Sequence, residues 1–529
     1  MTKPDPKSHT QRRILIVKGR TVRAEYRDTG IPEYDGNPLI EALPPVLTDD
    51  QATVRLAHYP QYDEARRRAP NHIRYHLIQN GLRCFIPLDI HLNLQRRFSC
   101  LIRVGYAGRN PLAAYFWKRL TTKIETFDQY GDQWQAPDGS STAVGFNIVG
   151  ISGVGKSHSV ERILNLYPQV IHHGRYRNRE FINAQVVWVK LDCPFDGSVK
   201  GLCVNFFQAM DDMLGTNYQR NYAQSRRTAD EMLPNMALAA ANHFLGVLVI
   251  DEIQRLSSAR SGGADRMLNF FVQLVNTIGV PVVLIGNYKA LSVLSGDFSQ
   301  MRRGAGQGDL IWDRMARDEQ WRFFVESLWR LQYTQQVCRL EDDPSLADAL
   351  YDETQGITDL AVKAYMFAQE RAIDSGREKI IASIIRSAAR DKLGIPRAVL
   401  DALKTNDRRV LEQYEDVYPS QIKQRLFRAS QAPDVIGHIT TDVIYKSQAD
   451  TPPASAPDLE QDARQEPHHS ADQMPGSPPN KGPGELPKIV AGLPGQDDLA
   501  AYDALRLAGY IRHPDEYLPD VYRRKEALA

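Results

Sequence analysis

Four short runs of near-continuous apolar residues, Phe146–Val149, Val186–Leu191, Val247–Ile250 and Val282–Ile285, alternate with longer stretches whose apolar residues recur at helical spacing. Strands without a polar face belong to parallel sheets covered by helices on both sides, so residues 144–290 predict an α/β core. Upstream, Arg13–Val22 alternates enough for a short strand, and Tyr26–Pro45, bracketed by prolines, predicts a docked extended arm with one short helix. Residues 55–145 predict mostly helices, with helical spacing across Ala113–Phe127 and breaks at Gly105 and at Gly108–Pro111. Beyond Trp321 the strand runs stop, and residues 340–425 carry the periodicity of an all-helical lid. Between Ser447 and Gly495 Pro, Gly, Ser, Asp and Gln replace the large apolar residues, which predicts a disordered linker. Leu499, Tyr502, Leu505 and Tyr510 then restore helical spacing, as in a tethered peptide.

At 529 residues the chain divides into an N-terminal arm and helical region (1–110), an α/β core (111–320), a helical lid (321–430), the Pro-rich linker (431–495) and a C-terminal peptide (496–529). The net charge of +1 gives no global field for a polyanion, so any contact with nucleic acid must be local. Five cysteines with no Cys-x-x-Cys pair imply a reduced, cytoplasmic setting, and no apolar run approaches a membrane span. The pairs His172-His173 and His468-His469 lack partners at metal-ligand spacing.

Gly150-Ile-Ser-Gly-Val-Gly-Lys-Ser157 satisfies the P-loop pattern between an apolar strand and a helical segment. Gly150, Ser152, Gly153, Val154, Gly155, Lys156, Ser157 and His158 would line a phosphate site, with Lys156 reaching the β and γ oxygens of ATP and the Ser157 hydroxyl on Mg²⁺. The run Val247–Ile250 ends in Asp251-Glu252, whose side chains leave a strand on opposite faces and so take different tasks. Asp251 would hold Mg²⁺ through water, and Glu252 would act as base toward the attacking water. Asn287, at the tip of the Val280–Ile285 run, would sense the γ-phosphate, or alternatively cap the next helix.

Arg302 and Arg303 precede a Gly-rich stretch and could be offered as fingers to a neighbouring subunit's nucleotide, or be arginines on a solvated helix end. The finger arrangement requires a heterologous oligomer, a ring or an open helix. Lys363 would be a second sensor at the start of a lid helix, or a surface lysine. Arg175, Arg177, Lys200, Arg226, Arg227 and Arg260 form local basic clusters that would contact DNA in an oligomer, and singly read as solvated faces.

The P-loop, Val249-Ile-Asp-Glu-Ile-Gln254, Met267-Leu-Asn-Phe-Phe271, Gly279–Gly286, Arg302–Gly306 and the arm segments Tyr26–Gly30 and Asn37–Pro45 together resemble the TnsC family. These are AAA+ regulators of Tn-seven-like transposons, related to MuB and TniB, and the similarity spans roughly residues 24–430. The resemblance implies an AAA+ P-loop NTPase core that binds and hydrolyses ATP with Mg²⁺ in a bacterial, nucleoid-associated protein. It implies a homo-oligomeric ring or helical filament on double-stranded target DNA, linking a TniQ/TnsD-type target selector to the TnsA and TnsB transposase subunits, with residues 496–529 as a C-terminal partner-binding peptide and no membrane partner. Asn287 departs from a family relative that has Thr there. Two other functions fit the same motifs: a nucleotide-gated scaffold without significant hydrolysis, and a replication initiator or helicase loader, which would be expected to carry a winged-helix domain after the lid.

Overall fold

The computed structural model describes residues 18–113, 144–258, 263–294, 308–414 and 416–417. The strands, numbered in chain order, are β1 (Thr21–Arg23), β2 (Phe146–Gly150), β3 (Val170–Tyr176), β4 (Arg179–Val186), β5 (Trp188–Asp192), β6 (Val247–Asp251), β7 (Val282–Gly286) and β8 (Leu310–Trp312), and the four apolar runs supply β2, β5, β6 and β7 of one five-stranded parallel sheet. The sheet order is β5-β6-β7-β2-β8. Every residue of β2, β6 and β7 is buried, as strands covered on both faces must be. Helix Asp89–Ala107 packs against β6 and against the helix that follows β2, and its Leu94, Phe98, Leu101 and Ile102 are fully buried.

Several expectations are corrected. Gly105 does not break a helix: it lies inside Asp89–Ala107, where a Cβ would meet Pro281 Cγ at 2.6 Å, so its role is a close approach to the sheet. Residues 13–17 lie outside the described residues, and past them the first strand is Thr21–Arg23, one residue beyond the expected end at Val22. The run Val186–Leu191 belongs to two strands, since β4 ends at Val186 and β5 begins at Trp188. With no turn residue between them, the change of sheet across Val187 leaves no mark in the hydrophobicity. The helical spacing at Ala113–Phe127 lies almost wholly outside the described residues, as do the linker and the C-terminal peptide.

A second sheet, β1-β3-β4, was not foreseen. Its hairpin turns on Arg177 and Asn178, both at positive φ (43° and 65°), the conformation that lets a two-residue turn follow the twist of its strands. The arm docks here. Its helix Pro38–Glu41 is buried throughout, and Asn37 caps it by accepting from the Leu39 N–H. The Glu41 carboxylate accepts from Gly36 N–H, the Tyr176 hydroxyl and the Arg177 guanidinium at 2.8–2.9 Å. Gln185 on β4 donates to the Leu39 carbonyl and pairs with His173, which also meets the Tyr26 hydroxyl at 2.8 Å.

The lid consists of Glu319–Trp329, Ser345–Thr354, Thr358–Asp374 and Ala382–Lys392 around a core that includes Trp321, Trp329, Leu350, Tyr365 and Ile385. N-terminal residues help to build it. Ile86 and Leu88 enter that core, and Ile78 joins Leu331, Tyr333, Met366 and Ile373 in a second cluster. Arg74, fully buried, grips Glu378 through two parallel bonds of 2.6 Å. The polypeptide therefore leaves the α/β core, straps the lid over residues 62–88, and returns as the helix beginning at Asp89.

Burial pushes His91 and His173 down from an ordinary 6.5 to about 4, so both rings stay neutral in the fold. The unfolded chain binds protons at these groups more readily than the folded one. Their contribution to stability is complete above pH ~6.5 and is lost as pH falls from there toward 4, by up to roughly 3 kcal/mol for each ring. The urea unfolding midpoint is expected to be clearly lower at about pH 5 than at about pH 7.5, and equal midpoints would contradict two buried neutral imidazoles.

Candidate functional site

Strand β2 lies between β7 and β8, and β7 separates it from β6, so the P-loop and the acidic pair emerge at the same edge of the sheet with the Asn287 loop between them. Parallel sheets bind ligands at this carboxyl edge. Gly153 and Gly155 take φ values of +87° and +91°, which a side chain would strain, and Gly155 stands at the N-cap of helix Lys156–Leu164. A loop turned this way aims backbone N–H groups and a helix N-terminus at one point, where an anion is favoured.

Lys156 is buried, and its ammonium donates to the carbonyls of Gly150 and Ile151 at 2.8 and 2.7 Å. Burial pushes it down to about 8, although Asp251 and Glu252 pull the other way. Asp251, 3% exposed, accepts from the Glu252 N–H at 2.8 Å and binds the Lys190 ammonium at 2.9 Å. Lys190 on β5 also meets Glu161 of the P-loop helix at 3.0 Å. Burial alone would lower Lys190, but Asp251 and then Glu161 outweigh it and hold it raised. Sequence reasoning missed this residue. Its signal was a lysine inside an otherwise apolar strand, which cannot be buried without a partner.

Glu252 sits at φ +59°, a left-handed conformation uncommon for a non-glycine residue and characteristic of functional turns. Its carboxylate accepts from Gln254 Nε2 at 2.7 Å and faces Arg255 at 3.8 Å. The Asn287 Oδ1 accepts from the Lys289 N–H at 3.0 Å, in the turn that leads to the short helix Ala290–Leu294. Lys363 is not at the start of its helix but in the second turn of Thr358–Asp374, paired with Asp359 at 2.7 Å. The N-terminus of that lid helix touches the P-loop, with the Asp359 N–H and the Thr358 hydroxyl donating to the Gly153 carbonyl at 3.1 and 3.3 Å. His158 faces the strap through a ring contact with Phe85, centroids 5.5 Å apart.

Among the described residues, the basic positions fall in two groups. Lys200 donates to the carbonyls of Ser225 and Arg227, which gathers Lys200, Arg226 and Arg227. Arg175 and Arg177 belong to the β3–β4 hairpin of the other sheet, and the Arg177 charge is met by Glu41. Arg260, Arg302 and Arg303 lie outside the described residues.

Among the described residues no cluster of three or more His, Cys, Asp or Glu could hold a metal ion. A serine hydroxyl and one carboxylate are hard oxygen donors that suit Mg²⁺ when phosphate oxygens complete its shell. Likewise, no described helix is long and apolar enough to cross a membrane.

A family model for the AAA domain matches residues 143–294. No curated protein matches. Solved structures similar to the chain include the Aeropyrum pernix ORC2 protein in ADPNP–ADP complexes, with 14% identity, a TM-score of 0.33, and 51% of this chain and 66% of that one covered. The Walker-type ATPase paby2304 of Pyrococcus abyssi matches with 14% identity, a TM-score of 0.31 and coverage of 55% and 75%. Cdc6p from Pyrobaculum aerophilum matches with 12% identity, a TM-score of 0.32 and coverage of 51% and 66%. The chain thus spans just under two thirds of the length of the ORC2 and Cdc6p structures. The strand order and the family match over residues 143–294 identify the core as an AAA+ P-loop NTPase fold with a parallel sheet.

Proposed function

We propose that the chain is an ATP-driven switch of the TnsC type that assembles on duplex target DNA and links a TniQ/TnsD-type selector to the TnsA and TnsB transposase subunits. The observation that carries the nucleotide part is Lys156. A buried ammonium bonded to neutral carbonyls, at a helix N-terminus and beside an acidic strand tip, is prepared for a polyphosphate anion. What supports the finer reading is the set of TnsC-like segments outside the phosphate loop, above all the arm Asn37–Pro45, which is docked through buried residues. The five sequence divisions, with the finger role of Arg302 or Arg303 and the DNA role of the Lys200–Arg227 group, belong to the same proposal.

Bound Mg²⁺-ATP would supply the scissile phosphoanhydride and a divalent charge to offset what develops on its oxygens. The chain's residues do the rest. Backbone N–H groups from Gly153 to Ser157 and the Lys156 ammonium neutralise phosphate, and Ser157 and Asp251 orient the metal. Lys190 holds the Asp251 carboxylate in place. Glu252 takes the proton of the attacking water. The Thr358–Asp374 helix, through its contact with Gly153, carries the state of the loop to the lid. A scaffold without significant hydrolysis is the second reading, favoured by the bond from Gln254 Nε2 that already engages the Glu252 carboxylate. Phosphate release with and without duplex DNA separates the two.

Lys156→Ala is expected to abolish ATP-dependent DNA binding in a mobility-shift titration, and wild-type binding by this variant would remove Lys156 from the site. Because phosphate binds the protonated lysine and Lys156 lies at about 8, ATP affinity measured by calorimetry should weaken as pH rises through that value. A flat profile up to about pH 9 would contradict the lowered ammonium. Glu252→Gln should retain DNA binding with ATP while phosphate release falls roughly 100-fold or more and the complex fails to dissociate. Normal DNA release by that variant would refute its role as base.

A further inference from the structure

We propose that Gln254 is a positioning residue that sets the Glu252 carboxylate and ties it to the tip of the neighbouring strand. The inference rests on the ATP-hydrolysing reading above and deepens it. One carboxamide joins two strand ends: Nε2 donates to Glu252 Oε2 at 2.7 Å, while Oε1 accepts from the Asn287 N–H at 3.3 Å. The two bonds fix the amide's orientation, because turning it over would aim Nε2 at a donor and Oε1 at a carboxylate.

The surroundings hold the side chain there. A Cβ on Gly286, the last residue of β7, would meet Ile253 Cγ2 at 2.8 Å and Gln254 Oε1 at 3.0 Å, so glycine at that strand end leaves the carboxamide its place. Glu252, at φ +59°, cannot rely on ordinary strand geometry to aim its carboxylate. Of its two side-chain neighbours, Gln254 makes the charge-assisted bond at short range. Arg255 stands at 3.8 Å, with both partners more than a third exposed, and a pair of that kind contributes little. Asn287 enters through its backbone N–H, since its side-chain oxygen is engaged with the Lys289 N–H. The sensing role assigned to Asn287 therefore becomes a linkage: movement of the β7 tip shifts Gln254 and, with it, the group that would take the proton from water.

The test measures ATP hydrolysis by the full chain with duplex DNA, as kcat and KM separately, for wild type and Gln254→Met. Methionine keeps the volume and loses both hydrogen bonds, so kcat should fall at least tenfold while KM for ATP stays within about threefold. A side chain that only fills space would be replaced by methionine with no loss of kcat, and a collapsed site would raise KM as well. Wild-type kcat in Gln254→Met, or a fall in kcat matched by an equal loss of ATP affinity, overturns this inference alone. A wild-type chain that hydrolyses no ATP overturns it together with the reading on which it rests.

Discussion

Two buried lysines set the electrostatics on which the rest of this structure depends. Lys190 is matched: Asp251 and Glu161 lie within about 3 Å of its ammonium and hold it charged. Lys156 is matched by neutral carbonyls instead, and burial depresses it to about 8. Taking a charge out of water is costly unless an opposite charge compensates it. By assigning the acidic strand tip to Lys190, the fold leaves Lys156 as the cation that gains most from an incoming anion. The arrangement also fixes Asp251, whose carboxylate is held by the Lys190 ammonium and by the Glu252 N–H.

The second constraint is mechanical. The Gly153 carbonyl of the phosphate loop accepts from the first residues of the Thr358–Asp374 helix, so loop and lid share hydrogen bonds. The lid is also strapped by residues 62–88, through the Arg74–Glu378 pair and the cluster around Tyr333 and Met366. Phe85 at the end of that strap faces His158 at 5.5 Å, next to Ser157. A change at the phosphate site therefore has two physical routes to the lid, one through the helix end and one through the strap.

The sequence carried the parts of this picture that depend on local pattern. The buried strands showed as apolar runs, and the P-loop showed as glycines, lysine and serine at fixed spacing, because its backbone demands those residues. What it concealed depends on distant contacts. Lys190 finds Asp251 61 positions later in the chain, and only the β5–β6 pairing puts them side by side. The β1-β3-β4 sheet was hidden because β4 runs into β5 across the apolar Val187 without a turn signal. Gly105 was misread because a glycine at a helix–sheet contact looks, in sequence, like one that ends a helix. The task of Gln254 has no local pattern either, and only its bonds to both Glu252 and Asn287 distinguish it.

The central claim is that nucleotide at the Lys156 loop decides whether copies of the chain assemble on duplex DNA. The most direct measurement is the mass distribution of the purified protein on a duplex fragment, by single-particle mass measurement, with a non-hydrolysable ATP analogue and without nucleotide. The account predicts multi-subunit complexes on DNA with the analogue and dispersed chains without it. Equal assembly under both conditions, or no self-association under either, would contradict it.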